Sequence, residues 1–96
     1  MAVEHMVWAK FNDDVTEAKK AELVDALKSL ENKVPGIQRF TIGKNFTERA
    51  MGYDLGFVVT LDSKEALDIY ANHPEHVKVA VELKENAQLM AMDFEF

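Results

Sequence analysis

The sequence of 96 residues contains no cysteine, only two prolines and only four glycines. Without cysteine there can be no disulfide, no thiolate metal site and no cysteine nucleophile. No apolar run approaches the roughly 20 residues that a membrane-spanning helix needs, and the N-terminus shows no basic segment followed by an apolar one. These absences lead us to expect a cytoplasmic protein that has no membrane partner.

Basic residues are also scarce, because 11 Lys and Arg face 17 Asp and Glu and give a net charge of −6. A nucleic-acid-binding protein needs a basic face to neutralise phosphates, so we expect no nucleic-acid partner. The sequence has no Gly-x-Gly-x-x-Gly, no Gly-x-x-x-x-Gly-Lys and no Gly-x-Ser-x-Gly motif, so nucleotide binding and a serine elbow have no support. A neutral or apolar ligand remains compatible with the charge.

The hydrophobic pattern predicts elements in the order strand, helix, strand, strand, helix, strand. Alternation and β-forming residues predict strands over residues 3–11, 37–43, 53–61 and 87–95. Leu23, Leu27, Leu30 and Val34 form one apolar helical face, which ends at Pro35-Gly36. This order predicts a ferredoxin-like α+β sandwich, βαββαβ, as a single domain over residues 1–96.

Local signals predict where the helices begin and break. Asp14, with Glu17 three residues later, resembles a capping box for the first helix, and Ser63 can cap the second. Pro74 cannot continue a helix but is favoured in the first turn of a new one, so we predict two short helices around it. His73 directly precedes this proline, and we expect it to serve as a junction or capping residue.

Both faces of the predicted sheet carry large apolar side chains, so each face needs a cover. The chain has no further element for the second face, and a patch of this size rarely stays exposed. We therefore expect a homodimer in which sheet packs against sheet as a dimeric α/β barrel. The interface is predicted to consist of Met6, Trp8, Val58, Met90, Met92 and Phe94. A monomer with an apolar face and a heteromer are the alternatives.

The segment Tyr70-Ala-Asn-His73-Pro-Glu-His76 places a phenol and two imidazoles within seven residues. A straight helix would turn Tyr70 and His76 about 120° apart, but a bend at the proline removes that constraint. His5 lies in the first strand, on the face assigned to the helices. If these side chains share one cavity, His76 can act as a general base and Tyr70 as a donor to an enolate or carbonyl oxygen. His5 would then help to hold a carbonyl group.

Each of these residues also has a purely structural interpretation. His5 can be a hydrogen-bonded core histidine, Tyr70 an amphipathic core tyrosine and His76 a solvent-facing helical histidine. A zinc site built from His5, His73 and His76 is a further alternative. A proline junction between two ligands is an awkward support, however, so we expect neither a metal nor another cofactor.

Four segments together resemble the stress-responsive dimeric A/B barrel (Dabb) family. They are Val3-Glu-His5-Met-Val7-Trp-Ala-Lys-Phe11, Val34-Pro-Gly-Ile37, Gly52-Tyr-Asp54 and Tyr70-x-x-His73-Pro-x-His76-Val77. The resemblance covers nearly the whole chain, and it implies a ferredoxin-like fold and a dimer whose two sheets form a barrel. From the polyketide cyclases of that family it also implies a metal-free aldol cyclisation, with Tyr70 and His76 as the acid/base pair and His5 in the same pocket.

The first hypothesis is therefore a small-molecule enzyme of the cyclase type, acting on an apolar or aromatic ligand. The apolar wall of its pocket is predicted to consist of Val7, Leu27, Phe57, Val59 and Leu89. The second hypothesis is a non-catalytic dimer that binds an apolar ligand or acts in a stress response through its stability. A third is a cofactor-free monooxygenase, because other dimeric α+β barrels oxidise aromatic polyketides.

Overall fold

The computed structural model describes residues 1–96 and has the predicted order of elements. The elements are β1 (Val3–Phe11), α1 (Glu17–Ser29), β2 (Ile37–Lys44), β3 (Leu55–Leu61), α2 (Lys64–Asn72), α3 (Pro74–Asn86) and β4 (Ala87–Glu95). The four strands form one antiparallel sheet in the order β2-β3-β1-β4. The prediction of a ferredoxin-like α+β fold is confirmed.

The start of α1 differs from the prediction. Thr16 caps this helix, because its hydroxyl oxygen accepts from the Lys19 N–H at 3.1 Å. Asp14 lies before the helix, in a turn where the Val15 N–H donates to the Asn12 carbonyl oxygen at 3.1 Å. The prediction of an Asp14 cap was therefore wrong, since only the residue adjacent to the first helical turn can reach its free N–H groups.

The start of α2 and the break before α3 follow the predictions. The Ser63 hydroxyl accepts from the Ala66 N–H at 3.1 Å. His73 is extended, with φ −65° and ψ 133°, and its Nδ1 accepts from the Glu75 N–H at 3.1 Å. Pro74 occupies the first turn of α3, where it needs no backbone donor. The junction therefore changes the chain direction between Tyr70 and His76.

The third strand begins two residues later than predicted. Asp54, just before it, forms hydrogen bonds with two residues of β1. The Asp54 N–H donates to the Ala9 carbonyl oxygen at 2.9 Å, and the Asp54 carboxylate accepts from the Phe11 N–H at 2.8 Å. Tyr53 consequently belongs to the preceding loop, and β3 starts at Leu55.

The hydrophobic core lies between the helices and one face of the sheet. Every second residue of β3 is buried there, and α1 contributes Leu23 and Leu27 from above. This alternation leaves the other face without a cover inside the chain. No helix is long and apolar enough to cross a bilayer.

The uncovered side is called the open face here, and it is defined by six side chains on three strands: Met6, Trp8, Val58, Met90, Met92 and Phe94. The register places Met6 opposite both Val58 and Met92, and Trp8 opposite Met90, so these side chains project from the same side. Met92 is 63% exposed and Trp8 is 48% exposed. The alternation of the sequence thus predicts correctly which residues share this face.

Candidate acid/base site

Three elements bring Tyr70, His76 and His5 together. The ring centroids of Tyr70 and His76 are 4.3 Å apart, and those of Tyr70 and His5 are 5.6 Å apart. Tyr70 comes from α2, His76 from the first turn of α3 and His5 from β1. The bend at Pro74 turns the first two side chains toward each other, as the sequence pattern indicates.

The Tyr70 side chain is buried, with 1% of its surface exposed, and its hydroxyl has no hydrogen-bond partner. An unpaired buried hydroxyl costs roughly 1–3 kcal/mol, so native structures rarely keep one without a reason. Burial also raises the pKa of Tyr70 far above its ordinary value of 10.0, because the phenolate would lose its hydration. The phenol therefore stays neutral and carries a donor that the chain itself does not use.

The His76 imidazole is held in one tautomer by the chain. Its Nδ1 lies 3.1 Å from the carbonyl oxygen of Ala71. Because a carbonyl oxygen can only accept, the proton lies on Nδ1 and Nε2 is left as a free acceptor. Burial lowers the pKa of His76 below 6.5, and this effect exceeds the opposing effect of the Ala71 hydrogen bond. At neutral pH the ring is therefore uncharged, which is the form that a general base requires.

His5 has a partner that sequence reasoning missed. The Nδ1 atom of His5 contacts a carboxylate oxygen of Asp93, and the His5 side chain is mostly buried. The two residues lie directly opposite each other in the pairing of β1 with β4. Only this register could have revealed the contact, because the residues are 88 positions apart in sequence.

The residues predicted to form the apolar wall lie in the core. Val7, Leu27, Phe57 and Val59 are buried, and Leu89 is partly buried against them. Val59 stands directly opposite His5 in the pairing of β1 with β3. These side chains belong to the same core as Tyr70, but they are packed together, and their role as a pocket wall stays a prediction.

Two cavities open elsewhere on the molecule. One of about 540 Å³ lies between α1 and the loop that connects β2 with β3, and its lining includes Phe11, Lys20 and Tyr53. The other, of about 650 Å³, lies between that loop and the open face, beside Trp8 and Met90. Neither is lined by the three rings or by the predicted wall. No three His, Asp or Glu side chains lie close enough together to hold a metal ion.

Comparison with known proteins identifies relatives of the chain. The family model of the stress-responsive A/B barrel domain matches residues 3–96. Olivetolic acid cyclase from Cannabis sativa is 37% identical over 79 residues, which cover 80% of this chain and 78% of the cyclase.

Solved structures agree with this relationship. The crystal structure of At3g17210 from Arabidopsis thaliana has a TM-score of 0.88 and 30% identity, covering 98% of this chain and 94% of that chain. A dimeric protein of ferredoxin-like fold from Bacteroides fragilis has a TM-score of 0.81 and 27% identity, covering 99% of this chain and 96% of that chain. Since the family model spans nearly every residue, the chain belongs to the stress-responsive A/B barrel domain family.

Proposed function

We propose that this protein is a small-molecule enzyme that closes a ring in a linear poly-β-ketone by intramolecular aldol addition. The observation that carries the proposal is the pairing of an uncharged imidazole, with Nε2 free, and a buried phenol that has no hydrogen-bond partner. Such a pair supplies a base and an acid that are both in the required protonation state at neutral pH. The similarity to a plant cyclase supports the same chemistry.

The proposed reaction uses both groups and returns both to their starting state. His76 Nε2 removes a proton from the carbon between two carbonyl groups, and the resulting enolate carbon attacks a carbonyl carbon further along the same molecule. Tyr70 gives its proton to the developing alkoxide, which becomes a hydroxyl group. The imidazolium of His76 then returns a proton to Tyr70, whose ring centroid lies 4.3 Å away.

The substrate would reach this pair through the junction of α2 and α3. Tyr70 is buried, whereas His76 is half-buried and lies just after Pro74, where α3 begins. A ligand that moves this junction outward would contact His76 first and then the phenol. Val7, Leu27, Phe57, Val59 and Leu89 would then form the apolar wall against the rest of the substrate.

We also propose that the protein works as a homodimer through the open face. Burying each large apolar side chain there would contribute about 1.5–3 kcal/mol. A similar protein from Bacteroides fragilis, 27% identical, is described as dimeric. In a two-fold pair the same face is used twice, so one self-complementary patch is enough to cover both sheets.

Turnover of a linear tetraketide thioester tests the proposed reaction, with the cyclised product detected by mass spectrometry. Tyr70→Phe and His76→Gln should each reduce the rate by about 10²-fold or more, since acid/base groups contribute about 10²–10⁴-fold. Tyr53→Phe is the matched control, because Tyr53 is the other tyrosine of the chain and lies in the β2–β3 loop. Unchanged rates in the first two variants would rule out these roles. Binding of small phenols without turnover would favour the non-catalytic alternative, and oxygen consumption with a quinol would favour the monooxygenase.

A further inference from the structure

We propose that Asp93 is a positioning residue, which holds the proton of His5 on Nδ1 so that Nε2 becomes a hydrogen-bond acceptor for the ligand. This inference rests on the proposed function for its consequence, but its geometric basis is independent of any reaction. It adds His5 Nε2, a hydrogen-bond acceptor, to the acid/base pair of His76 and Tyr70.

The contact between the two residues fixes which nitrogen carries the proton. His5 Nδ1 meets a carboxylate oxygen of Asp93, and an ionised carboxylate can only accept a hydrogen bond. The imidazole therefore donates through Nδ1, and in the uncharged ring this leaves Nε2 without a proton. His5 forms no second hydrogen bond within the chain, so Nε2 is free.

No cation near Asp93 competes with His5 for its carboxylate. Glu95, which lies two residues further along the same side of β4, forms an ion pair with Lys64 of α2 at 3.3 Å. Asp93 has no lysine or arginine partner, and its one contact with a basic side chain is with His5. The His5 side chain is 15% exposed and that of Asp93 is 42% exposed, so solvent reaches the carboxylate more readily than the ring.

The consequence concerns the chemical form of the ligand. Tyr70 offers an unused donor, and His5 offers an unused acceptor on a ring whose centroid is 5.6 Å away. A fragment with an acceptor oxygen beside a hydroxyl group can pair with both, as in the enol form of a β-dicarbonyl or in a carboxylic acid. A diketone form can pair only with the phenol. The site would thus hold a carboxylic acid or an enolised carbonyl of the substrate at this point, separate from the carbon that His76 deprotonates.

Long-range ¹H–¹⁵N correlation spectra of the uniformly labelled protein test the proposal without any ligand, because they show which imidazole nitrogens carry protons. In the wild type, His5 should be protonated on Nδ1 and not on Nε2. Asp93→Ala should shift this ring toward the other tautomer because Nδ1 loses its acceptor, and Asp93→Asn should do the same because the amide can turn its NH2 group toward Nδ1. Glu95→Ala is the matched control on the same strand and should leave the His5 spectrum unchanged.

Two results would overturn the proposal: a proton on Nε2 of wild-type His5, alone or in the imidazolium, or an Asp93→Ala spectrum identical to that of the wild type. Turnover of the tetraketide thioester supplies the second readout, and Asp93→Ala and Asp93→Asn should each lower kcat/KM by about 10-fold or more. If His5 has the expected tautomer but the wild type shows no turnover, the proposed reaction fails while the positioning role of Asp93 stands. If the wild type and Asp93→Ala turn the substrate over equally fast, only the positioning role fails.

Discussion

At the scale of single residues, the site combines two histidines whose Nδ1 atoms form hydrogen bonds within the chain and a tyrosine whose hydroxyl forms none. The Ala71 carbonyl oxygen and the Asp93 carboxylate each accept a hydrogen bond from an Nδ1 atom, and neither contact uses Nε2. Tyr70 is different, since its hydroxyl is buried and forms no hydrogen bond. A group of this kind lowers stability, which is a cost that proteins commonly accept at functional sites.

Removal of the Tyr70 hydroxyl should therefore not destabilise the fold. We expect Tyr70→Phe to raise the free energy of unfolding by about 1 kcal/mol, because the variant no longer buries an unsatisfied polar group. Urea denaturation of the two proteins measures this difference, with Tyr53→Phe as the comparison at a less buried position. A loss of more than 1 kcal/mol would mean that the hydroxyl has a stabilising partner.

At the scale of helices and strands, short polar side chains decide where the elements begin. Sequence reasoning assigned the first cap to Asp14 because of the spacing to Glu17, whereas the structure uses Thr16. Both residue types can cap a helix, and the choice depends on a turn closed by Val15 and Asn12. The break at Pro74 was predictable, because proline restricts its own position and that of His73 directly.

Two alanine substitutions distinguish these two caps. Thr16→Ala should lower the free energy of unfolding by about 1 kcal/mol, because the Lys19 N–H loses its acceptor. Asp14→Ala should change the same quantity by less than about 0.5 kcal/mol, as is usual for an exposed residue outside such a feature. Thermal or urea denaturation measures both, and a larger effect at Asp14 than at Thr16 would contradict the assignment.

At the scale of the whole molecule, the sequence determines the fold more fully than it determines the site. Alternating apolar residues predict both sides of the sheet, since side chains in a strand project to opposite faces. The contact between His5 and Asp93 was not predictable in this way, because it depends on how β1 and β4 are aligned. The predicted wall residues are packed in the core, and periodicity alone cannot tell a packed core from the wall of a pocket.

The open face should control assembly. Met92→Asp should shift the dimer toward monomer and raise the dissociation constant by about 10²-fold or more, because a buried unpaired carboxylate costs several kcal/mol. Val81→Asp is the matched control, since Val81 is an apolar side chain of similar exposure, 53% against 63%, on α3. Sedimentation velocity at several concentrations measures the association, and equal effects of the two variants would contradict an interface on this face.

The central claim is that His76 acts as an uncharged base beside a neutral phenol. The most direct test is hydrogen–deuterium exchange at the α-carbon of an acetoacetyl thioester, followed by ¹H NMR between pH 6 and 7. The wild type should accelerate exchange and lose less of its rate between pH 7 and pH 6 than a base of pKa 6.5 would, because burial lowers the pKa of His76 below 6.5. His76→Gln should lose the acceleration, and equal exchange rates in the two proteins would contradict the account.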